Sequence, residues 1–273
     1  MSPLIAILLV FSAATACAAQ EQATKDALKV KAAVDKTRAQ KSFSVTFEAV
    51  IRVPDSDPMK ITGETVWVAP GILFTQYTAS GGETVRLVRV GEKVWLYHMT
   101  VEEWFTAEET GKPGAGRGVQ NPDEVLLAVL KAADQAVAAG QEKAGEVLEM
   151  KLDGAMLQKI MRQQALEGSM DWAKSSGSVR LVAGTADGLM YRMQVAAEVA
   201  STDAQLKGKK IGYSADVNLK SYNRDFWLDF KDVDFKTKKT ITLPWPAKFL
   251  EEAEKVQGLP EELKAEIQNR KKK

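Results

Sequence analysis

The apolar positions of this chain repeat at two different periods, and the change between them organises the sequence. Between residues 21 and 41, Ala23, Ala27, Val30 and Val34 recur at helical spacing among Lys, Asp and Arg, which predicts a helix with one apolar stripe. The period then drops to two. Phe43, Val45, Phe47, Ala49 and Ile51 alternate with Ser44, Thr46, Glu48 and Arg52, with Val50 the exception. Such a strand turns one face to a core and the other to water, so Phe47 is expected inward and Glu48 outward. Pro54-Asp55-Ser56-Asp57-Pro58 is a turn cluster, after which Ile61, Thr65 and Trp67 share one side of the next strand. Strands at Ile72–Thr78, Glu83–Val90, Lys93–Met99 and Glu103–Thr106 follow, separated by short turns, mostly glycine-containing. This is the pattern of an antiparallel meander.

The meander is interrupted in the middle of the chain. Lys112–Gly118 holds three glycines and a proline and reads as a loop. Asn121-Pro122-Asp123-Glu124 is a helix start, with Asn121 as N-cap and proline at the first helical position. Leu126, Val129, Leu130, Ala133 and Val137 would form the apolar stripe of this helix, ended by Gly140. After a strand at Glu146–Leu152, Asp153 caps a second helix carrying Leu157, Ile160 and Met161. Alternation then returns at Ser178–Ala183, at Leu189–Val199 after the turn signal Asp187-Gly188, at Ile211–Leu219, and at Lys236–Leu243. The second of these places Met193 inward and Arg192 outward. Beyond Pro244-Trp245-Pro246, Phe249, Leu250, Ala253 and Val256 predict a helix stopped by Gly258, and Pro260 opens a last one.

About ten alternating strands with two inserted helices predict a mainly β protein with helices (α+β), built on a strongly curved antiparallel sheet. Its apolar face has to be covered. The inserted helices are the expected lid, through Leu126, Leu130, Leu157 and Met161, with Met156 and Met170 in the same region. The leading or terminal helices would protect the strand edges.

Residues 1–19 carry no Lys, Arg, Asp or Glu, and an apolar run from Pro3 to Phe11 gives way to small residues before Gln20. That is the form of a secretory leader, although Met1-Ser2-Pro3 lacks the usual basic residue. Cys17 is the chain's single cysteine. As Ala14-Thr15-Ala16-Cys17 it is a candidate lipid-bearing residue; cleavage after Ala18 or Ala19 would discard it instead. Neither outcome leaves an internal disulfide. The expected organisation is therefore a leader (1–19), a half-barrel domain (20–245) and a helical extension with a basic tail (246–273). A periplasmic or cell-envelope location follows, peripheral to the membrane unless Cys17 anchors the chain.

Charge removes one class of function. The net charge is +1, which argues against nucleic-acid binding because that needs a strongly basic surface. Catalytic patterns are weak as well. His98 is the single histidine, and no Gly-x-Ser-x-Gly elbow or phosphate loop occurs, so no catalytic residue, metal site or cofactor is expected. Glu102-Glu103, Glu108-Glu109 and Asp232/Asp234 read as solvated turn charges, with acid–base carboxylates as the alternative.

Four stretches carry a resemblance. They are Ser42-Phe43-Ser44-Val45-Thr46-Phe47, Gly63-Glu64-Thr65-Val66-Trp67-Val68-Ala69-Pro70-Gly71, Val90-Gly91-Glu92-Lys93-Val94-Trp95-Leu96-Tyr97, and Phe235 through Pro244. In their order along the chain they resemble the LolA/LolB-like superfamily of periplasmic lipoprotein carriers, with its RseB-type sensors and LppX/LprG-type lipid-binding lipoproteins. The resemblance implies an unclosed β-barrel with a helical lid over an apolar cavity. It further implies non-catalytic binding of a lipid or lipoprotein acyl chain, or, on the same fold, of an envelope protein partner. Phe47, Trp67, Phe74, Trp95, Tyr191, Met193 and Tyr213 are then the expected cavity lining, against the alternative that they are ordinary core. The helices after Pro244 depart from the family pattern.

Overall fold

The computed structural model describes residues 3–98, 101–106, 109, 122–161, 170–203, 206, 208–233 and 239–272, with side chains from residue 21 onward apart from Met161. A first helix, α1 (Pro3–Arg38), leads into a meander of six strands: β1 (Ser42–Arg52), β2 (Met59–Val68), β3 (Ile72–Ala79), β4 (Thr84–Val90), β5 (Lys93–His98) and β6 (Glu103–Thr106). Helix α2 (Pro122–Ala132) is followed by β7 (Val137–Glu142), β8 (Gly145–Leu152) and α3 (Gly154–Met161). The chain continues through β9 (Met170–Ala183), β10 (Met190–Ser201), β11 (Lys210–Lys220), β12 (Lys231–Val233) and β13 (Thr240–Thr242), and ends in α4 (Ala247–Glu254) and α5 (Glu261–Lys271).

Eleven strands form one antiparallel sheet in the order β6-β5-β4-β3-β2-β1-β11-β10-β9-β8-β7, while β12 and β13 pair separately. The two edge strands do not meet, so the curved sheet is a half-barrel and not a closed one. Among the described residues the N-terminal and C-terminal meanders are joined at a single ladder, β1 with β11, running from Ser44↔Lys220 to Arg52↔Gly212.

Each face is covered differently. On the inner face, Val30, Ala33 and Val34 of α1, Leu126 and Val129 of α2 and Leu157 and Ile160 of α3 join inward residues of the sheet in the main core. Asp153 caps α3 as expected, its Oδ1 accepting the Met156 N–H at 2.8 Å. The outer face of β2–β5 is covered by the chain's end. Phe226, Phe230, Leu243, Trp245, Phe249, Leu250, Leu263 and Ile267 pack there on Val66, Val68, Ile72, Phe74, Val88, Trp95 and Tyr97. The Arg270 guanidinium lies 3.9 Å above the Trp245 ring and ties α5 to this layer.

Three expectations are corrected. The helix beginning near Pro122 was expected to run to Gly140, but it ends at Ala132 and a 3-10 turn leads into β7. The buried Asp26 carboxylate accepts the Ala138 N–H at 2.9 Å and β8 supplies a ladder, so Val137 joins an edge strand. Gly140 sits at φ +122° by the register shift in that strand and is no helix cap. The strand expected from Ser178 starts at Met170, which removes Met170 from the lid region. The last expected strand is limited in the described residues to Thr240–Thr242, and it pairs with β12 outside the main sheet. Lys112–Gly118 and Asn121 lie outside the described residues.

Phe249 is wholly buried where α4 meets Phe74 and Trp95, with ring centroids at 5.6 and 5.7 Å. Phe249→Ala is expected to destabilise the protein by about 3–5 kcal/mol, the usual cost of deleting a core ring. Urea unfolding checks this; a loss below about 1 kcal/mol would mean that α4 is not integral to the fold.

Candidate functional site

The site follows from the register of the strands. Residues level with one another across neighbouring strands share a face, so the inner face can be read as transverse rows. The first row is Leu219–Val45–Thr65–Thr75. The second is Met193–Val217–Phe47–Gly63–Tyr77. The third is Val195–Ala215–Ala49–Ile61. All of these except Gly63 line a cavity of about 250 Å³, centred on the β1–β11 seam. Pro122, Val125 and Leu126 of α2 and Ile160 of α3 form its roof.

Small residues explain why the space stays open. Ala49 and Ala215 stand side by side in the third row, and Gly63 leaves a gap in the second. A Cβ on Gly63 would lie 2.5 Å from the Gln76 carbonyl oxygen, 2.6 Å from Tyr77 Cβ and 2.7 Å from Phe47 Cζ. The missing side chain therefore lets the Phe47 ring cross towards β3.

Among the described residues no lining side chain is charged. The polar groups are hydroxyls: Thr65 and Thr75 share a buried hydrogen bond at 3.0 Å, and Tyr77 and Tyr213 contribute phenols. Burial pushes both phenols above their ordinary pKa, so they stay protonated at neutral pH. The cavity is graded in exposure. Phe43 and Met190 at one end are 1% and 0% exposed, whereas Phe47, Ile61, Tyr77, Tyr213 and Val217 are half-buried.

The structure separates the residues expected to line the site. Phe47, Met193 and Tyr213 line it together. Trp67 is on the inner face but behind it, stacked on Phe43 with centroids 5.0 Å apart. Phe74 and Trp95 are corrected outright: they point to the outer face, beneath Trp245 and Phe249. Tyr191 is displaced by the register shift between Met190 and Arg192; its hydroxyl donates to Asp187 and its ring meets Tyr222 edge-on. Met190 lines the cavity instead. Of the expected lid residues, Leu126 reaches the cavity, Leu157 is buried in the core beside it and Leu130 packs at the margin; the side chain of Met161 is outside the described residues.

Thr65, Thr75, Tyr77, Ala49 and Ala215 were not expected as lining. Thr75 and Tyr77 share a phase with Leu73, and Ile72 and Phe74 make the opposite phase of the same strand equally apolar. Only the alternation continued from β1 through the ladder identifies the inner face.

A larger trough, about 750 Å³, lies on the outer face. It is crossed by the row Thr62–Glu48–Asp216–Gln194–Arg180–Glu149. Its charges are largely engaged within the protein. The Arg192 guanidinium donates to Asp216 at 2.9 Å and holds that carboxyl below its usual range; Gln194 also donates to it at 3.1 Å, and Lys60 pairs with Glu48 at 2.9 Å. Size alone would favour the trough, but the more sheltered, apolar space is the better ligand site.

The remaining candidate groups do not converge. His98 is exposed, with its ring edge-on to Phe105 at 6.3 Å. Asp232 pairs with the buried Arg86 at 3.4 Å on the outer face. Glu109 is bonded by the Thr106 N–H and by Lys248, which lower its pKa to about 2. Glu108 and Asp234 lie outside the described residues. Among the described residues no three His, Cys, Asp or Glu side chains are grouped to hold a metal ion.

Fold and cavity together define an unclosed antiparallel half-barrel holding an apolar space under a cover of helices. No family model and no curated protein matches the sequence. Among solved structures, the chain is similar to the lipoprotein LppX of Mycobacterium tuberculosis, at 11% identity and TM-score 0.48 over 74% of this chain and 97% of that one. It is similar to LprF from Mycobacterium bovis at 10% identity and TM-score 0.44, over 74% and 94% of the two chains. A LolA superfamily protein from Nitrosomonas europaea matches at 8% identity and TM-score 0.29, over 74% and 94%.

Gly63→Ala should cost about 1–3 kcal/mol, because two of the three close atoms belong to the β3 main chain or its Cβ and cannot swing aside. Gly212→Ala, whose new Cβ would meet only Arg52 Cβ at 3.6 Å, should stay within about 0.5 kcal/mol of the parent. Equal unfolding midpoints for the two variants would refute the close passage of β2, β3 and Phe47.

Proposed function

We propose that this chain binds a lipid or lipoprotein acyl chain in the cavity, without catalysis, in the cell envelope. One observation carries the reading: among the described residues, a partly open space of about 250 Å³ has no charged side chain in its lining. Ligand sites commonly run from about 300 to 1,000 Å³, so this one suits a single slender chain. Each methylene moved from water into it contributes about 0.8 kcal/mol before ordering costs. The cover supports the same reading. Leu126 and Ile160 reach into the cavity from short helices, α2 and α3, so a ligand can enter by shifting them without breaking strand ladders.

Export is part of the proposal. Cleavage after Ala18 or Ala19, or lipid attachment at Cys17, would both leave residues 21–38 of α1 in place. That part holds the sheet through Asp26 to β7, through the Lys29–Glu146 pair at 2.5 Å, and through Thr37, whose hydroxyl accepts the Met190 N–H at 3.0 Å.

The rival reading is a sensor or interaction domain that docks a protein. Val233 and Ile241 are large exposed apolar residues on adjacent strands. Val233 is level with Thr240, and Ile241 with Asp232, so the two stand on opposite faces of their small sheet and make no joint patch. That pair offers no docking surface, and the cavity is the basis of the reading.

A fluorescent fatty-acyl probe is expected to bind the purified protein with a Kd of about 1 μM or lower. Ala215→Phe fills the middle of the floor, and should weaken binding at least roughly tenfold while costing about 1–3 kcal/mol of stability or less. Native mass spectrometry of the parent protein is expected to show co-purified lipid. Absence of probe binding by the parent would overturn the reading in favour of protein docking.

A further inference from the structure

The cavity's polar groups are not equivalent. The Thr65 and Thr75 hydroxyls satisfy one another and are buried, so they make no demand on a ligand. The Tyr77 and Tyr213 phenols have no hydrogen-bond partner among the described residues and stand at the half-buried end. Tyr77 is level with Phe47, whereas Tyr213 is level with Ile51, three strands away across β2, β1 and β11. They therefore sit on opposite walls. The deep end, at Phe43 and Met190, offers only apolar surface, so an acyl chain would point its tail there and leave its head between the phenols.

The character of that head follows from the groups around it. A phenol donates a hydrogen bond but does not neutralise a carboxylate. Among the described residues no lining side chain is cationic, and the charge felt by Tyr77 is that of the exposed Glu83 carboxylate, which repels an anion. We propose that Tyr77 and Tyr213 select ligands with an uncharged acceptor head, so that the cavity takes esterified acyl chains in preference to free fatty acids. The proposal rests on the acyl-binding reading above and adds the ligand class and the two residues that choose it.

The test is displacement of a bound fluorescent acyl probe, near neutral pH, by lauric acid or by its glycerol monoester. The monoester should displace the probe at a concentration at least roughly tenfold lower, since leaving an ionised carboxylate against an uncharged wall costs more than one hydrogen bond returns. Replacing both phenols, Tyr77→Phe with Tyr213→Phe, should weaken monoester binding several-fold and leave the thermal midpoint unchanged within about 2 °C. Ile61→Lys puts an ammonium at the half-buried end and should shift the preference towards laurate. Equal or tighter binding of laurate by the parent protein would overturn the proposal, as would an unchanged monoester affinity in the double variant. If the probe itself fails to bind, the acyl-binding reading fails first, which is a different result from equal binding of the two competitors.

Discussion

The β1–β11 ladder is the constraint on which the rest of the molecule depends. It joins two antiparallel meanders, β1–β6 and β7–β11, that among the described residues have no other strand pairing between them. It also lies under the middle of the cavity, where Val45, Phe47 and Ala49 stand level with Leu219, Val217 and Ala215. A slip of one residue would set the apolar row of one strand level with the polar row of the other, turning three of these six side chains to the outer face and bringing Glu48 or Asp216 inward. Such a slip is opposed on both sides. The Arg192–Asp216 pair and the Glu48–Lys60 pair form only when the polar row faces out. The helices find an apolar floor only when the other row faces in.

The sheet meets two different demands along its width. Around the seam, one face is apolar and the other is polar and wet, so the strands alternate cleanly. From β2 to β5 both faces are covered, the inner by the main core and the outer by the chain's end. Four successive residues, Thr65, Val66, Trp67 and Val68, are buried there, as are Ile72, Leu73 and Phe74 in the neighbouring strand. Arg86 shows how a charge is kept in this layer. It is 5% exposed, and it donates to the Lys231 carbonyl at 2.7 Å and to Gln76 at 3.2 Å while pairing with Asp232. These contacts hold β12 against β4.

An apolar space persists beside a well-packed core because its floor is made of small residues between large ones. Ala49, Ala215 and Gly63 leave the middle empty, while Phe47, Met193 and Tyr213 rise around it. In most cores such a gap would be unfavourable, since the atoms lining it lose dispersion contacts. A ligand restores those contacts, so an apolar cavity under short helices is coupled to binding in a way that a filled core is not.

Much of this was determined by the sequence alone. Period-two alternation at Phe43–Ile51 and Ile211–Leu219 specified strands with defined inner and outer faces, because one side of each meets water and a polar residue there is unambiguous. It located Phe47 and Tyr213 on the inner face, the alternation at Leu189–Val199 located Met193 there, and Asp153 marked the start of α3 through its own cap. Tertiary structure decided the rest. Phe74 and Trp95 lie in strands that are apolar in both phases, and only the packing of Trp245 and Phe249 shows that they face outward. Tyr191 changed place through a bulge that no local pattern announces, and Val137 left its helix for a strand because Asp26 and β8 offered it partners. The roles of Thr75 and Tyr77 also had to wait for the fold. A side chain's face is set locally only where water lies on one side of the strand; where protein lies on both, it is set by partners far away in the chain.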